Sequence, residues 1–344
     1  MTLSLRERYA AGRGYLGAAT LGLPVDVTRE AVRRDLEKWS TGTADVVEYT
    51  ALVESARGHA ATLLGTDSSR VAIGATASAF VALAAAAVPP GAEVVVVEGD
   101  FASVVRPFLA RGDLRVVQVP LAGLAEAIGP ETWLAAYALV QSATGEVADA
   151  ASIRSAAASS GARVLVDTTQ ATGWLPTADL DADVIVCHAY KWLCAPRGSA
   201  FAAFSARAQE EIRPLTAGWY SAPDPWSSCY GPELDLAPDA SRYDLSPAWH
   251  AWVGAEAALG FAVSLDPGEV RAHGVGLANA FRAHLGLGPS DSAIVTWADP
   301  DGADLAAMTA AGIAAAGRAG RARVAFHLWN DEEDVELTAA ALHR

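Results

Sequence analysis

Two charged residues in this sequence follow apolar segments in a way that could bring them side by side. Asp167 closes the segment 163–167, and Lys191 stands four residues beyond the segment 184–187. A buried carboxylate is costly unless a partner compensates it, whereas a lysine can bond covalently to a carbonyl group and carry protons. Because Lys38 is the only other lysine, covalent chemistry of this kind falls to Lys191.

Together these residue types fit one cofactor, pyridoxal phosphate. A carboxylate beside the pyridine nitrogen keeps the ring cationic through a charge-assisted hydrogen bond, so the ring can act as an electron sink. Lys191 would hold the cofactor covalently and shuttle protons at the substrate Cα. Taken alone, Asp167 is equally compatible with a structural acid in a turn, and most loop lysines are simply solvated.

Two further segments could complete such a site. The turn 74–76 joins an apolar strand to a helix start, where free amides and the helix dipole favour a phosphate. Ala75 and Thr76 lie in this turn, and Ser78 adds a hydroxyl. Phe101 follows the valine-rich segment 93–97 and could stack on a flat ring, although an ordinary core role is the alternative. Strand–glycine–helix turns are common, so this turn is informative only together with Asp167 and Lys191.

All of these residues lie just beyond the carboxyl ends of predicted strands. The strands are apolar on both faces and alternate with helix-like segments, which is typical of a parallel sheet covered by helices on both sides. In such a fold, ligands bind at the carboxyl ends of the strands. The predicted strands of this sheet are 71–73, 93–97, 114–119, 136–140, 163–166, 184–187 and 200–204.

The C-terminal part follows a different pattern. An aromatic-rich loop covers 217–247. Beyond it we predict helices at about 249–264, 305–315 and 331–342, strands at 293–297 and 322–327, and Asn330 as the cap of the last helix. We therefore expect an N-terminal segment, 1–30, that contributes to the small domain and the site, a large cofactor-binding domain, 31–248, and a small domain, 249–344.

Composition narrows the function classes. The 344 residues are 52% apolar and 19% charged, which suits about two folded domains, and no apolar run reaches the roughly 18 residues of a membrane span. A net charge of −15 disfavours nucleic acid and anionic membranes as partners. The cysteines Cys187, Cys194 and Cys229 share no metal-ligand spacing, so we expect no metal. Without a recognisable secretion signal, they indicate reduced thiols in the cytoplasm.

Several of these segments resemble the class V group of fold-type-I pyridoxal phosphate enzymes, which includes kynureninase, cysteine desulfurases, class V aminotransferases and C–S lyases. The resemblance covers nearly the whole chain, about 15–342. It implies an α/β fold with a mostly parallel sheet in the large domain and a small α+β C-terminal domain. The segments that carry it are Ala75-Thr76, Ser142-Ala143-Thr144-Gly145, Asp167-Thr168-Thr169-Gln170, Tyr190-Lys191-Trp192-Leu193 with Ala195-Pro196-Arg197-Gly198, Gly218-Trp219-Tyr220 and the segment 323–330 that begins with Arg323.

The resemblance also implies a role for each matched residue. Lys191 is the catalytic lysine, and Arg323 and Trp219 bind the substrate, with the arginine on its carboxylate. A small-molecule amino acid is the implied substrate, and the group is usually homodimeric with shared active sites. The implied cofactor-binding residues are Ala75, Thr76 and Tyr190 at the phosphate, Phe101 stacked on the ring, Asp167 at the pyridine nitrogen, Ser142 and Gln170 near the ring oxygen, and Lys191.

The reaction is narrowed by a residue that the chain lacks. Desulfurases of this group carry a cysteine shortly before the carboxylate-binding arginine, but no cysteine occurs between 265 and 323. We therefore expect an enzyme that deprotonates Cα, with β-elimination from a cysteine S-conjugate by a C–S β-lyase as the leading hypothesis. The alternatives are a class V aminotransferase and a kynureninase-like hydrolase, although Ser246 replaces the asparagine of kynureninase. A non-catalytic protein that binds pyridoxal phosphate is disfavoured by the joint presence of Lys191, Asp167 and Arg323.

Overall fold

The computed structural model describes residues 5–10 and 12–343. Its main feature is a seven-stranded sheet with the strand order β1-β7-β6-β5-β4-β2-β3. The strands are β1 (Val71–Gly74), β2 (Glu93–Val97), β3 (Arg115–Val119), β4 (Thr132–Ala138), β5 (Arg163–Asp167), β6 (Val184–His188) and β7 (Ala200–Phe204).

The five strands from β2 to β6 run parallel, as predicted, but β7 does not. It pairs antiparallel with both β6 and β1, so the interpretation of 200–204 as a further parallel strand is wrong. The reason lies in the connection 189–199, which contains no helix. Parallel neighbours need a long crossover, whereas a short return places the next strand antiparallel.

Helices cover both faces of the sheet because alternate strand residues point to opposite sides. In β2, Val94 and Val96 pack with Phe80 on one face, whereas Val95 and Val97 pack with Ile153 on the other. The helices up to residue 263 are α1 (Asp26–Ser40), α2 (Val46–Leu63), α3 (Ala77–Ala87), α4 (Ala102–Leu109), α5 (Leu124–Ala127), α6 (Ala150–Ser160), α7 (Ala206–Glu211) and α8 (Trp249–Val263).

Helix α8 packs with the large sheet although the predicted domain division lies at its start. Its residues Trp252 and Leu259 share one core cluster with Val53 of α2 and with Ile73 and Phe201 of the sheet. The division at residue 249 stays a prediction. The packing of α8 leads us to propose instead that the large domain extends through Val263.

The remaining residues form a small α+β layer. Its sheet has the order β8-β10-β9 and is antiparallel, and Tyr15 and Gly17 bridge to Ala314 and Ala325 beside it. The last helix is capped by Asp331 rather than by Asn330, whose amide instead donates to the Tyr15 carbonyl. The elements are α9 (Pro267–His284), β8 (Ile294–Ala298), α10 (Ala303–Ala310), β9 (Ala316–Arg318), β10 (Arg321–Ala325) and α11 (Glu332–Ala341).

The segment 217–247 is a loop with two short 3₁₀ turns, Trp219–Ser221 and Ala240–Tyr243. Buried contacts anchor its end, because the Asp244 carboxylate accepts hydrogen bonds from Arg57 and from the Ile73 amide. Within 5–10 and 12–343, no helix has the length and apolar character to cross a membrane.

Candidate active site

A cavity lies at the carboxyl ends of β4, β5 and β6, beside the start of β7. The register of the strands places its residues at the same level of the sheet. Asp167 pairs with Val186, and Ala200 pairs with Gly74 on one side and with His188 on the other. The cavity encloses about 660 Å³, including its open mouth. Its lining residues are Thr76, Ala77, Ser78, Phe101, Ser103, Ala138, Val140, Ser142, Asp167, Thr169, Gln170, His188, Tyr190, Lys191 and Arg197.

Lys191 is only 5% exposed, and its amine faces the rings around it. Nζ lies 5.2 Å from the ring centroid of Phe101 and 5.6 Å from that of Tyr190. Burial lowers the pKa of Lys191 to about 8, against the opposing effect of the Asp167 charge. In the described part of the chain, no acceptor or carboxylate binds this amine directly. A lysine of this kind is far more often neutral, and therefore nucleophilic, than a solvated one.

Asp167 is buried beside this amine. Its carboxylate accepts a hydrogen bond from the Thr169 amide at 2.8 Å. Burial raises the pKa of Asp167, and the hydrogen bonds of Thr169 and the charge of Lys191 oppose this shift. No lysine, arginine or histidine of the described residues forms an ion pair with Asp167 within 4.0 Å, so the carboxylate is suited to a cationic group brought in by a ligand.

Phe101 stands at the mouth of the cavity with 47% of its surface exposed. A half-buried acid fixes the loop before it, because Asp100 accepts hydrogen bonds from the Phe101 amide at 2.6 Å and the Ala138 amide at 2.8 Å. The ring therefore projects from a loop that is tied to the end of β4. An exposed aromatic ring held this firmly can cover a flat ligand.

The phosphate side predicted from the turn 74–76 lies at the start of α3. Thr76 is the residue before the helix, and the Ser78 hydroxyl donates to its Oγ1 at 3.2 Å. Thr76, Ser78 and Tyr190 line the cavity, whereas the predicted cofactor residue Ala75 is not among its lining residues. Ala77 and Ser78, the first residues of α3, line the same cavity as Lys191, and a helix start of this kind suits an anion.

Gln170, Ser142 and Arg323 form one hydrogen-bonded chain. The Gln170 amide donates to Ser142 Oγ at 3.0 Å and to the Ala19 carbonyl at 2.9 Å, and its oxygen accepts from Trp192 Nε1 at 2.9 Å. Arg323 donates to the Ser142 carbonyl at 2.6 Å. The polar atoms of Gln170 are thus engaged by the protein itself, and Ser142 is the link between the cavity and Arg323.

Arg323 is 2% exposed and sits behind Ser142 rather than in the cavity wall. Burial lowers its pKa to about 10, and the nearby charge of Arg318 adds to this effect. No carboxylate among the residues described here lies within 4.0 Å of its guanidinium. A buried cation without a counter-ion is costly, and a substrate carboxylate would relieve that cost.

Trp219 is not brought to the cavity within one chain. It packs against Tyr220 and Trp226, with ring centroids 5.1 Å away in both cases. Its expected contact with substrate is therefore not made inside this subunit, and the role stays a proposal that requires a second subunit.

Sequence reasoning missed several residues that shape the site. Thr20 Oγ1 accepts from Arg323 at 2.8 Å. Gly22 donates to the Tyr190 carbonyl, and a Cβ at this glycine would lie 1.9 Å from the Lys191 carbonyl oxygen. Only a glycine can approach the lysine backbone so closely. None of these residues belongs to a recognisable motif, so only the packing of the N-terminal segment reveals them.

The donor set of the cavity fits pyridoxal phosphate. Lys191 would supply a buried amine for the aldehyde, Asp167 a buried carboxylate for the pyridine nitrogen, and the start of α3 amides for the phosphate. An enclosed polar atom, His188 Nε2, has no hydrogen-bond partner in 5–10 or 12–343. No group of three metal-ligating side chains is found in the same residues.

Known proteins resemble the chain in sequence. The model of the family described as aminotransferase class-V matches residues 39–296. Isopenicillin N epimerase of Streptomyces clavuligerus is 29% identical over 255 residues, which are 65% of this chain and 62% of the epimerase. The chain therefore matches less than two thirds of that relative's length.

Solved structures resemble the chain in fold. The cysteine desulfurase CsdA from Escherichia coli superposes with a TM-score of 0.85 at 21% identity, covering 98% of this chain and 96% of the desulfurase. The cystine C–S lyase C-DES, in complex with cysteine persulfide, has a TM-score of 0.85 at 19% identity, with 96% and 97% covered. These likenesses confirm the predicted fold class, a mostly parallel α/β sheet of fold type I with a small C-terminal domain.

Proposed function

The chain belongs to the class-V aminotransferase family of pyridoxal-phosphate-dependent enzymes, and from this premise we propose that it is a C–S β-lyase acting on a cysteine S-conjugate. In this reaction the Cα–H and Cβ–S bonds break. The proton goes to the departing thiolate, and water converts the remaining fragment to pyruvate and ammonia.

One observation supports the proposal above all others. Lys191 and Asp167 line one cavity and Arg323 lies behind its Ser142 wall; all three are buried, and none has an ion-pair partner within 4.0 Å among the described residues. Buried charges of this kind are expensive to maintain and are typical of functional sites. A cofactor and an amino acid together would supply the missing partners.

Each of the three groups then has a distinct task. The bound cofactor supplies the electron sink for the Cα carbanion. Lys191, with its pKa near 8, accepts the Cα proton and returns it to the departing sulfur. Arg323 binds the α-carboxylate and so orients Cα. Asp167 keeps the cofactor ring cationic, and Phe101 covers it against water.

The cysteines support elimination rather than a persulfide route. Burial raises the pKa of Cys187 to about 12 and raises that of Cys194 as well, so neither thiol is a ready nucleophile. Cys229 lies in the exposed loop, with its thiol directed to the Pro225 carbonyl. C-DES, which shares the fold, is a cystine C–S lyase. This likeness supports the proposed cleavage of a Cβ–S bond.

The reaction is tested with the purified holoenzyme and S-phenyl-L-cysteine. We expect thiophenol, pyruvate and ammonia in equal amounts, and no release by Lys191→Ala. Transfer of the amino group to a keto acid without thiol release would instead support the aminotransferase alternative. Release of alanine from kynurenine would support the hydrolase. Turnover by Lys191→Ala at the wild-type rate would contradict the proposed role of the lysine.

We further propose a homodimer with shared active sites. Large apolar side chains stay exposed near the aromatic loop and on α1, namely Leu36, Trp39, Tyr230 and Leu234, which are between 54% and 95% exposed. A second subunit would cover them and could deliver Trp219 to the neighbouring cavity. Sedimentation should then give twice the 35.5 kDa of one chain. The free thiols agree with the proposed cytoplasmic location.

A further inference from the structure

Arg197 lies in the turn that leads into β7, at the end of the large sheet where the candidate cavity lies. It lies three residues before Ala200, the first residue of β7, and Ala200 pairs with Gly74 on one side and His188 on the other. With strands about 4.8 Å apart, the turn that carries Arg197 lies between the start of α3 and the end of β6. Arg197 therefore stands between the predicted phosphate turn and the lysine segment.

Arg197 is exposed at the cavity and lies against an aromatic ring. Its guanidinium lies 4.8 Å from the ring centroid of Tyr190, and the Tyr190 ring lies 4.4 Å from the His188 ring. The side chain lines the cavity, yet no acid of the described chain pairs with it within 4.0 Å. The cavity wall thus contains two cations, Lys191 and Arg197, and the second has no assigned partner.

His188 lies at the same end of the cavity as Arg197. It is 8% exposed, and its enclosed Nε2 has no partner within the described ranges. Burial lowers the pKa of His188 to about 4, and the charge of Arg197 adds to this shift. The ring is therefore neutral at neutral pH and does not compete with Arg197 for an anion.

We infer that Arg197 is the cation that binds the phosphate group of the cofactor, opposite the first amides of α3. This inference rests on the cofactor site of the proposed function but not on the reaction. It assigns to one residue of this chain the preference of the site for a phosphorylated over an unphosphorylated pyridoxal. Tyr190 holds the guanidinium in place through its ring face, and the phosphate supplies the counter-ion that the protein lacks.

The test compares two ligands that differ only in the phosphate. Pyridoxal phosphate and pyridoxal are titrated into the cofactor-free full chain, and binding is followed by the visible absorption that borohydride removes. We expect Arg197→Gln to weaken pyridoxal phosphate about 10- to 100-fold and to change pyridoxal less than about 3-fold. Inorganic phosphate should compete with pyridoxal phosphate in the wild type and poorly in the variant.

Two controls accompany this measurement. Arg213→Gln removes an exposed arginine beyond the opposite end of β7 and should leave both affinities unchanged. Arg197→Lys retains the charge and should recover part of the loss, which a purely structural role would not explain. If Arg197→Gln leaves the ratio of the two affinities unchanged, whether by no loss or by an equal loss for both ligands, the inference is overturned.

The result is separable from the fate of the proposed reaction. If the wild type binds neither ligand, the cofactor site and this inference both fail. If pyridoxal phosphate binds but S-phenyl-L-cysteine yields no thiol, only the lyase proposal fails, and the affinity ratio still decides the role of Arg197.

Discussion

Replacing Arg323 by glutamine should remove the group that selects substrates with a free α-carboxylate. A guanidinium has five N–H donors. Three hydrogen bonds use them, two from Nη1 to Ser142 and one from Nη2 to Thr20. At least two donors remain, as many as a bidentate carboxylate needs. All partners in the structure are neutral, so the charge is available to the substrate.

The size of the effect follows from those two donors. A hydrogen bond to a charged group contributes about 1.5 to 3 kcal/mol. Since both bonds share one carboxylate and are not additive, we expect a loss of about 2 to 4 kcal/mol, or about 30- to 900-fold in kcat/KM. Arg321→Gln is the matched control, because Arg321 lies on the same strand and bonds to Thr296 instead.

The assay uses S-phenyl-L-cysteine and its carboxamide. The wild type and Arg321→Gln should prefer the acid by the factor given above, whereas Arg323→Gln should treat the two compounds alike. The cofactor band should persist in all three proteins, which separates substrate binding from loss of fold. An Arg323→Gln protein that keeps the wild-type preference for the acid would refute the assignment.

Two more predictions concern protonation and stability. With a pKa of about 8 rather than 10.5, about 9% of Lys191 is neutral at pH 7 instead of about 0.03%. The rate at which the cofactor-free protein captures the cofactor should therefore rise with pH and level off above about pH 9. Asp244→Asn should destabilise the protein by about 3 to 5 kcal/mol, because it leaves Arg57 charged and buried without its 2.6 Å partner. Urea denaturation measures this loss, and Glu54→Gln, which removes an exposed partner of the same arginine, should cost less than about 1 kcal/mol.

Each of these two predictions can fail clearly. A capture rate that still rises above pH 10 would mean that burial does not depress the pKa of Lys191. Equal destabilisation by Asp244→Asn and Glu54→Gln would mean that the buried pair contributes no more than the exposed one.

The sequence predicted the sheet and its functional edge well, for a physical reason. Parallel strands with helical crossovers present their carboxyl ends at one edge, so Asp167 and Lys191 could be expected to meet although they are distant in sequence. The direction of β7 could not be predicted, because an apolar segment buried on both faces looks the same in either direction. Helix α1 was also missed, although Val32, Leu36 and Trp39 follow helical spacing along it; these side chains stay exposed, and only Thr28 and Asp35 of its described residues are fully buried.

Other parts of the site depend on tertiary packing alone. Arg197 is an arginine in a turn, and only the register of β7 between Gly74 and His188 reveals its position. Thr20 and Gly22 reach the site because the N-terminal segment folds back on the Lys191 turn. For Trp219, a sequence motif predicted a contact with substrate, but within one subunit the side chain does not reach the cavity. Local sequence contains no signal for any of these arrangements.

The central claim is that Lys191 forms the covalent bond to the cofactor, and one measurement tests it most directly. The holoenzyme is reduced with borohydride and digested, and the peptides are mapped by mass spectrometry. The chain has only two lysines, so the assignment is unambiguous. We expect the reduced cofactor on the peptide that contains Lys191 and none on Lys38, which is exposed and paired with Glu48. A cofactor mass on Lys38, or on neither lysine, would contradict the mechanism.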